Sequence, residues 1–376
     1  MFLEMCEIWP QADVFTAVYD EDGTEGRFAH RDVHTSFLQK LHPTSRTFRG
    51  LLPLYPAAIE SFDFSGYDLV ISSSSAWAHA IICDENTTHV CYCHNPFRYA
   101  WNDREHTLAE RRDPFSRAAL RALFRRWLQW DWIAAQRVDR YLANSETTKA
   151  RIKAYFGRDA EVVYPPVEID RFVPGPLGDY YVVLSELVPH KRIDRAVHAF
   201  NKLRRPLVIV GDGPDAQRLR RLAGNSIRFE GRVSDARVAE LLASCRALVQ
   251  PSVEEFGIAA VEAQAAGRPV IAARGGGALE TIEDGVTGTH WEGDSDGLAE
   301  AVSRFDDQAI DPVACVANAA RFGTEQFRLT LPAVVERAVA EVRGESAPRV
   351  QPRRARNPRP RGLGLAVAPS LPPDSL

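Results

Sequence analysis

Two carboxylates, Glu254 and Glu262, stand on either side of Phe256-Gly257-Ile258, and Ala263-Gln264-Ala265-Ala266 follows before Gly267 stops the run. A short apolar segment, Ala247-Leu248-Val249-Gln250, precedes them. The pattern reads as strand, loop and helix start. A helix N-terminus offers unpaired N–H groups and a positive dipole end, which attract phosphate or sugar oxygens. Carboxylates beside such a site do not help to bind phosphate. They suit a ligand that also carries hydroxyl donors. Glu255, the third acid of the run, reads as a bystander.

Other residues are placed for related chemistry. Lys191-Arg192 follows a strand through Val188-Pro189-His190, where a lysine can neutralise a diphosphate. His94 ends the buried run His89-Val90-Cys91-Tyr92-Cys93, just before the turn-forming Asn95-Pro96. Strand C-termini face the ligand crevice in parallel α/β domains, so His94 is either a site residue or a structural one. Gly211-Asp212-Gly213-Pro214 and Gly275-Gly276-Gly277 follow strands, where glycine permits close approach. There is no zinc-ligand spacing, Walker lysine loop or Ser-His-Asp order. Asp294-x-Asp296 has the spelling of a metal motif but reads as a turn in a Gly-rich loop.

These residues need a frame, and the second half supplies one. Strands are expected at 180–185, 206–210, 227–230, 247–250 and 269–273. Helices are expected at about 192–204, 215–223, 235–244, 257–266 and 297–305. Such alternation implies a parallel sheet. In the first half, strands are read at 13–18, 67–72, 89–94, 141–144 and 161–164, with polar, turn-rich sequence over 20–50. A long helical stretch at 104–138 carries Arg111, Arg112, Arg117, Arg121, Arg125 and Arg126 among tryptophans. It is either a solvated basic face with aromatics packed inward or a surface for an anionic or lipid-linked ligand. Residues 311–343 read as helical.

The chain opens on a helical pattern, Phe2 to Trp9, rather than the strand and Gly-rich turn that usually begin such a domain. Either that first strand is absent or the start lies upstream. The tail from Gly344 holds six arginines and seven prolines with only Glu345 and Asp374 as acids, and is expected to be disordered.

At 376 residues the chain has room for two domains. Its net charge of −4 argues against a general nucleic-acid binder. Six cysteines without metal spacing read as reduced core thiols, Cys91 and Cys93 sharing one strand face. No apolar run is long enough to cross a bilayer and no signal peptide opens the chain, so a cytoplasmic location is expected.

Together these residues resemble the family 4 retaining glycosyltransferases. Leu187 to Asp194, Val210 to Pro214 and Phe229 to Val233 look like that family's donor domain in order and spacing. Cys91 to Tyr99 and Tyr164-Pro165-Pro166-Val167 are similar to a bacterial branch that includes mannosyltransferases of surface-polysaccharide assembly. The resemblance implies the α/β GT-B architecture, with two Rossmann-like domains whose parallel sheets face a cleft, the N-terminal one lacking its first strand here. The expected division is 1–166 on the acceptor side, 167–343 on the nucleotide-sugar side, and a tail at 344–376.

The resemblance also implies roles. Glu262 would accept from the ribose hydroxyls and Glu254 would lie near the hydroxyls of the transferred sugar. The backbone N–H groups of Phe256, Gly257 and Ile258 would meet the sugar or distal phosphate. Lys191 would hold the diphosphate, and His94 would reach the sugar from the other domain. Arg232 and Val233 would border the base, and Gly211 would line the donor site. No metal or resident cofactor is implied. The co-substrate would be a nucleotide-diphosphate sugar, GDP-mannose or a UDP-sugar. The acceptor would be lipid-linked or saccharide, with peripheral contact at the inner face of the plasma membrane. One departure stands out: Glu186 occupies the place of the family's usual arginine, which leaves more of the diphosphate charge to Lys191. The alternatives are a non-catalytic paralogue that binds nucleotide sugar and a sugar-nucleotide epimerase.

Overall fold

A computed structural model describes residues 1–44, 47–109, 113–305, 309–344 and 362–367. They fall into two compact units. The first comprises residues 1–144, 148–163 and those described from 328 on; the second comprises 145–147 and 164–327.

The second unit is built on six parallel strands: β7 (Tyr181–Leu184), β8 (Leu207–Val210), β9 (Ile227–Gly231), β10 (Leu248–Gln250), β11 (Val270–Ala273) and β12 (Gly288–Trp291). Their spatial order is β12-β11-β10-β7-β8-β9. Near-continuous apolar runs form the four inner strands, because both faces of the sheet are covered there, and alternation assigns each residue to a face; the edge strands β9 and β12 are more polar. Val182, Leu248, Val270 and Ala272 enter one core, with Phe256, Phe322 and Val261. Tyr181, Val183, Val249, Ile271 and Ala273 enter the other, with Phe200 and Leu298. The helices Ile193–Leu203, Ala216–Leu222, Asp235–Ser244, Ile258–Ala265 and Ser295–Arg304 fall at the expected places. β12 was not foreseen.

The chain runs outward from β7 to β8 and β9, then returns to β10 and runs outward the other way. The strand order therefore reverses between β7 and β10. In open parallel sheets, the crevice for ligands forms at the carboxyl ends of the strands where the order reverses.

The first unit has seven parallel strands: β1 (Asp13–Thr16), β2 (Val33–Thr35), β3 (Leu69–Ser74), β4 (Thr88–Cys93), β5 (Arg140–Ala143), β6 (Ala160–Val162) and β13 (Leu363–Val367). Their order is β2-β1-β13-β3-β4-β5-β6. Cys91 and Cys93 share one core with Tyr141, Ile152 and Phe156. Trp77, Phe97, Phe124 and Trp127 fill the other. The helix Pro114–Ala135 turns Phe124 and Trp127 inward and leaves Arg117, Arg121, Arg125 and Arg126 exposed; Arg111 and Arg112 lie outside the described residues. The helical region at 311–343 is two helices, Pro312–Ala320 and Thr324–Val342, the break falling at Gly323.

The main departure from expectation is β13. The slot between β1 and β3 is filled by residues 363–367, from the stretch expected to be disordered. Gly364, Leu365 and Ala366 are buried there, with registers Leu365↔Val14 and Leu365↔Ile71. Backbone pairing begins one residue earlier, where Asp68 N donates to the Gly362 carbonyl at 3.1 Å. Tail composition pointed to disorder, but Leu363-Gly364-Leu365-Ala366-Val367 is uncharged and apolar, and two unpaired strand edges offer it a full backbone ladder. The arginine-bearing part of the tail lies outside the described residues.

Leu365→Asp places a charge in the middle of this sheet. The expected outcome is a loss of about 3–5 kcal/mol from the first unit, read from chemical denaturation followed by tryptophan fluorescence.

Candidate functional site

Three loops at the carboxyl edge of the second sheet bring the predicted residues together. The loop after β7 closes in a short turn, Pro189–Lys191, and Arg192 takes a left-handed conformation before the helix Ile193–Leu203 begins. Lys191 Nζ forms an ion pair with Glu254 Oε2, from the loop after β10. The two side chains are 18 % and 16 % exposed, shielded enough to feel each other yet open to a ligand. Ser252 Oγ donates to the other oxygen, Glu254 Oε1, at 2.7 Å. Lys191 and Glu254 thus stand after the two strands that flank the reversal of order.

The helix Ile258–Ala265 starts beside them. Gly257 is its cap residue with φ 88°, a left-handed conformation that glycine adopts without strain. No side chain caps this end, and the N–H groups of Phe256, Gly257 and Ile258 meet no acceptor among the described residues. These donors are what a phosphate or sugar oxygen requires. The Phe256 side chain points elsewhere, into the core against Phe322 and Tyr164 at ring distances of 5.4 and 5.8 Å. Ile258 is half exposed.

The Glu254–Phe256 loop is held from behind by the triple glycine after β11. Gly277 N donates to the Glu254 carbonyl at 2.9 Å. A Cβ on Gly277 would lie 2.3 Å from the Cα and carbonyl oxygen of Phe256, so only glycine fits. The close approach that the glycines permit is thus to the Glu254 loop itself. Gly211 is likewise engaged with backbone: its N–H donates to Gly231, and its loop docks on the β7 loop where Leu187 N donates to Asp212 O at 2.9 Å.

Glu262 lies further along the helix, 12 % exposed, with Oε1 2.5 Å from Arg171 Nη2. Burial raises its carboxyl above the usual range, and the Arg171 charge opposes the rise. Arg232 follows β9 and is exposed, whereas Val233 packs partly on the core. His94 belongs to the first unit, just past β4. Its Nε2 lies 3.0 Å from Ser73 Oγ, and its ring packs edge-on to Tyr92. Burial, aided by the positive charge of the chain's amino terminus, pushes it down to about 4, so His94 is neutral at physiological pH. Asp294, of the Asp-x-Asp spelling, caps the helix Ser295–Arg304 by accepting from Asp296 N at 2.9 Å.

Sequence reasoning missed three features. Arg171 stands 91 positions from Glu262, and no local pattern joins them. Gln250 ends β10, is buried, and neither of its amide atoms has a hydrogen-bond partner among the described residues; its Nε2 would lie 3.2 Å from a Cβ on Gly257. Finally, Ser74, His79 and Asp131 assemble in the first unit. His79 Nδ1 is 3.2 Å from Ser74 Oγ and its Nε2 is 3.1 Å from Asp131 Oδ1, while Trp101 Nε1 donates to Asp131 Oδ2 at 2.6 Å. All three members are sealed from solvent, so this chain of groups is a buried polar network and not an open nucleophile.

Comparison with known proteins places the chain. The family model described as Glycosyltransferase Family 4 matches residues 3–171, and that described as Glycosyl transferases group 1 matches residues 170–322. The chain belongs to glycosyltransferase family 4. Its fold agrees: the Anabaena protein HepE in complex with UDP superposes with a TM-score of 0.65 at 21 % identity, covering 89 % of this chain and 96 % of that one. Sucrose-phosphate synthase from Thermosynechococcus elongatus gives 0.64 at 19 % identity, covering 83 % and 84 %. These likenesses show the GT-B fold. Among curated relatives, this family 4 chain is 37 % identical over 202 residues to the GDP-mannose-dependent alpha-(1-6)-phosphatidylinositol monomannoside mannosyltransferase of Mycolicibacterium smegmatis, covering 45 % of this chain and 52 % of the relative. It is 30 % identical over 248 residues to the D-inositol 3-phosphate glycosyltransferase 2 of Catenulispora acidiphila, covering 54 % and 57 %. The chain thus spans little more than half the length of the curated relatives it matches.

The buried histidines set a pH dependence. His89 Nε2 lies 2.8 Å from Ser72 Oγ in β3, and burial, with a smaller push from His79, holds it down at about 3. The unfolded chain takes up this proton below about pH 6.5 whereas the folded chain does not, so stability falls as pH drops. Between about pH 7.5 and pH 5 the loss from this one group is about 2 kcal/mol, and His89→Gln removes it, as urea midpoints at the two pH values will show.

Proposed function

We propose that this chain is a retaining hexosyltransferase that moves a sugar, mannose from GDP-mannose, from a nucleotide diphosphate to a lipid-linked or saccharide acceptor. The observation that carries the reading is the convergence at the strand-order reversal of the second sheet: Lys191, Glu254 and an uncapped helix start with three N–H donors. The choice of mannose rests on the mannosyltransferase relatives, with GDP-mannose named for the M. smegmatis protein. A UDP-sugar is the competing donor.

In this reading the leaving diphosphate gathers charge as the glycosidic bond breaks. An ammonium group already held in place and helix N–H groups stabilise that charge without reorganisation. Glu254 orients Lys191 through the ion pair and, by accepting from sugar hydroxyls, fixes the sugar ring. Ser252 holds the second carboxylate oxygen, so the group cannot swing away. Retention requires the acceptor to arrive on the face that the diphosphate leaves, and the departing phosphate oxygen can take the acceptor's proton. Lys191 and the helix end supply the charge stabilisation that a divalent ion gives in metal-dependent transferases, so activity is expected to survive chelators. Glu262 would bind the ribose, Arg232 and Val233 the edge of the base, and Gly211 would shape the loop over the nucleotide. His94, neutral, would donate or accept a hydrogen bond at the sugar.

Among the described residues no helix is long and apolar enough to cross a membrane. The exposed arginines of Pro114–Ala135, with Phe115 and Trp132 exposed on the same helix, fit peripheral contact with an anionic bilayer at the cytoplasmic face.

The test is a panel of GDP- and UDP-sugars, scored for transfer and for slow hydrolysis. One donor, GDP-mannose, is expected to be consumed. Lys191→Ala and Glu254→Ala each lower kcat by about 100- to 1,000-fold with the fold retained by circular dichroism. Failure of every sugar nucleotide to bind or react sinks the reading, and consumption to an epimer without an acceptor favours the epimerase.

A further inference from the structure

Glu262 is a largely buried carboxylate, read above as the acceptor for the ribose, and the groups behind it decide how it is presented. Arg171 ends the short turn Ile169–Arg171. Its Nη2 donates to Glu262 Oε1 at 2.5 Å, and its Nη1 lies 3.1 Å from Asp235 Oδ2, at the start of the helix Asp235–Ser244. The guanidinium stacks over the Phe172 ring, 4.7 Å from its centre. One planar fork thus joins three separate elements, and the stack fixes its plane. Only Oε1 of Glu262 is used. Oε2 meets no donor among the described residues.

We propose that Arg171 is a positioning residue for nucleotide recognition: it holds Glu262 ionised with Oε2 turned outward as a hydrogen-bond acceptor, and so sets the preference for ribonucleotides over 2′-deoxyribonucleotides. This rests on the reading of Glu262 as the ribose acceptor. A carboxylate accepts from a ribose diol, whereas a carboxylic acid offers one donor and a weaker acceptor. Around Glu262 the charged neighbours are Arg171, Asp235 and Glu168, and the two acids both favour protonation. Arg171 alone opposes burial. Without it, the carboxylate takes a proton at higher pH and is free to rotate. A lysine would keep the charge but cannot bridge Glu262 and Asp235 in one plane.

The experiment measures binding of GDP, 2′-deoxy-GDP, UDP and 2′-deoxy-UDP to the full chain by calorimetry. For the nucleotide that binds, the wild type is expected to prefer the ribo form by about 10- to 100-fold, the range of one hydrogen bond to a charged group. Arg171→Gln reduces that preference to about 3-fold or less, and the preference recovers as the pH is raised and Glu262 ionises. A merely structural role for Arg171 would weaken both forms equally and show no such recovery. Arg171→Lys gives an intermediate preference. Should Arg171→Gln fail to fold, Asp235→Asn removes the outer anchor of the fork and is expected to lower the preference at least 3-fold. If these variants keep the wild-type preference while Glu262→Gln loses it, the positioning role of Arg171 is overturned and the ribose reading stands. If the wild type shows no preference, the ribose reading falls and this proposal with it. If none of the four nucleotides binds, the proposed function falls as well.

Discussion

The ion pair between Lys191 and Glu254 depends on where one sheet changes direction. Between β7 and β10 the strand order reverses, so the loops leaving these two strands diverge and leave a gap. An apolar gap would close by packing. Two opposite charges, one from each loop and both partly shielded, keep it polar and hold it at the width of a hydrogen bond. Shielding strengthens their attraction beyond that of a surface pair, and residual exposure keeps the cost of desolvation low. Around this pair the other parts take their places: Ser252 locks the carboxylate, the glycines after β11 press the loop forward, and the uncapped helix begins.

Glycine has a double duty at this edge. Gly257 lets the chain enter the helix without a side chain over its N-terminus. Gly277 lets a second loop lie directly on the backbone of the first. Gly277 substitutes contact with main chain for contact with side chain, which ties down the loop carrying Glu254 although it is short of regular structure. In the proposed function such anchoring matters, because charges that must move to meet a developing charge lose much of their effect.

Much of this was legible in the sequence wherever signals are local. The apolar runs of β7, β8, β10 and β11, the helix formers after Gly257, and the spacing of Glu254 and Glu262 sit within single windows. Lys191 could be placed because it follows a strand. What could not be read is pairing at a distance. Arg171 reaches Glu262 only through the fold. Ser74, His79 and Asp131 meet because a strand end, a short turn and a long helix converge. β2 is three residues long and hides in polar sequence. The tail strand was masked by its surroundings: composition taken over a window of arginines and prolines hides five apolar residues, and their partner edges lie at the far end of the chain.

That strand sets an order of events during synthesis. The six strands of the second unit lie together between residues 181 and 291, so this unit holds its whole sheet before β13 is made. The first unit does not. Nearly three hundred residues separate the end of β3 from β13, and until β13 leaves the ribosome the slot between β1 and β3 lacks the strand that fills it in the folded unit. The unit whose sheet is begun earlier is therefore the one whose sheet is completed later. Through that interval two open strand edges are exposed to any extended segment nearby, and the nascent chain depends on the speed of its own completion, or on a chaperone, to keep them unpaired.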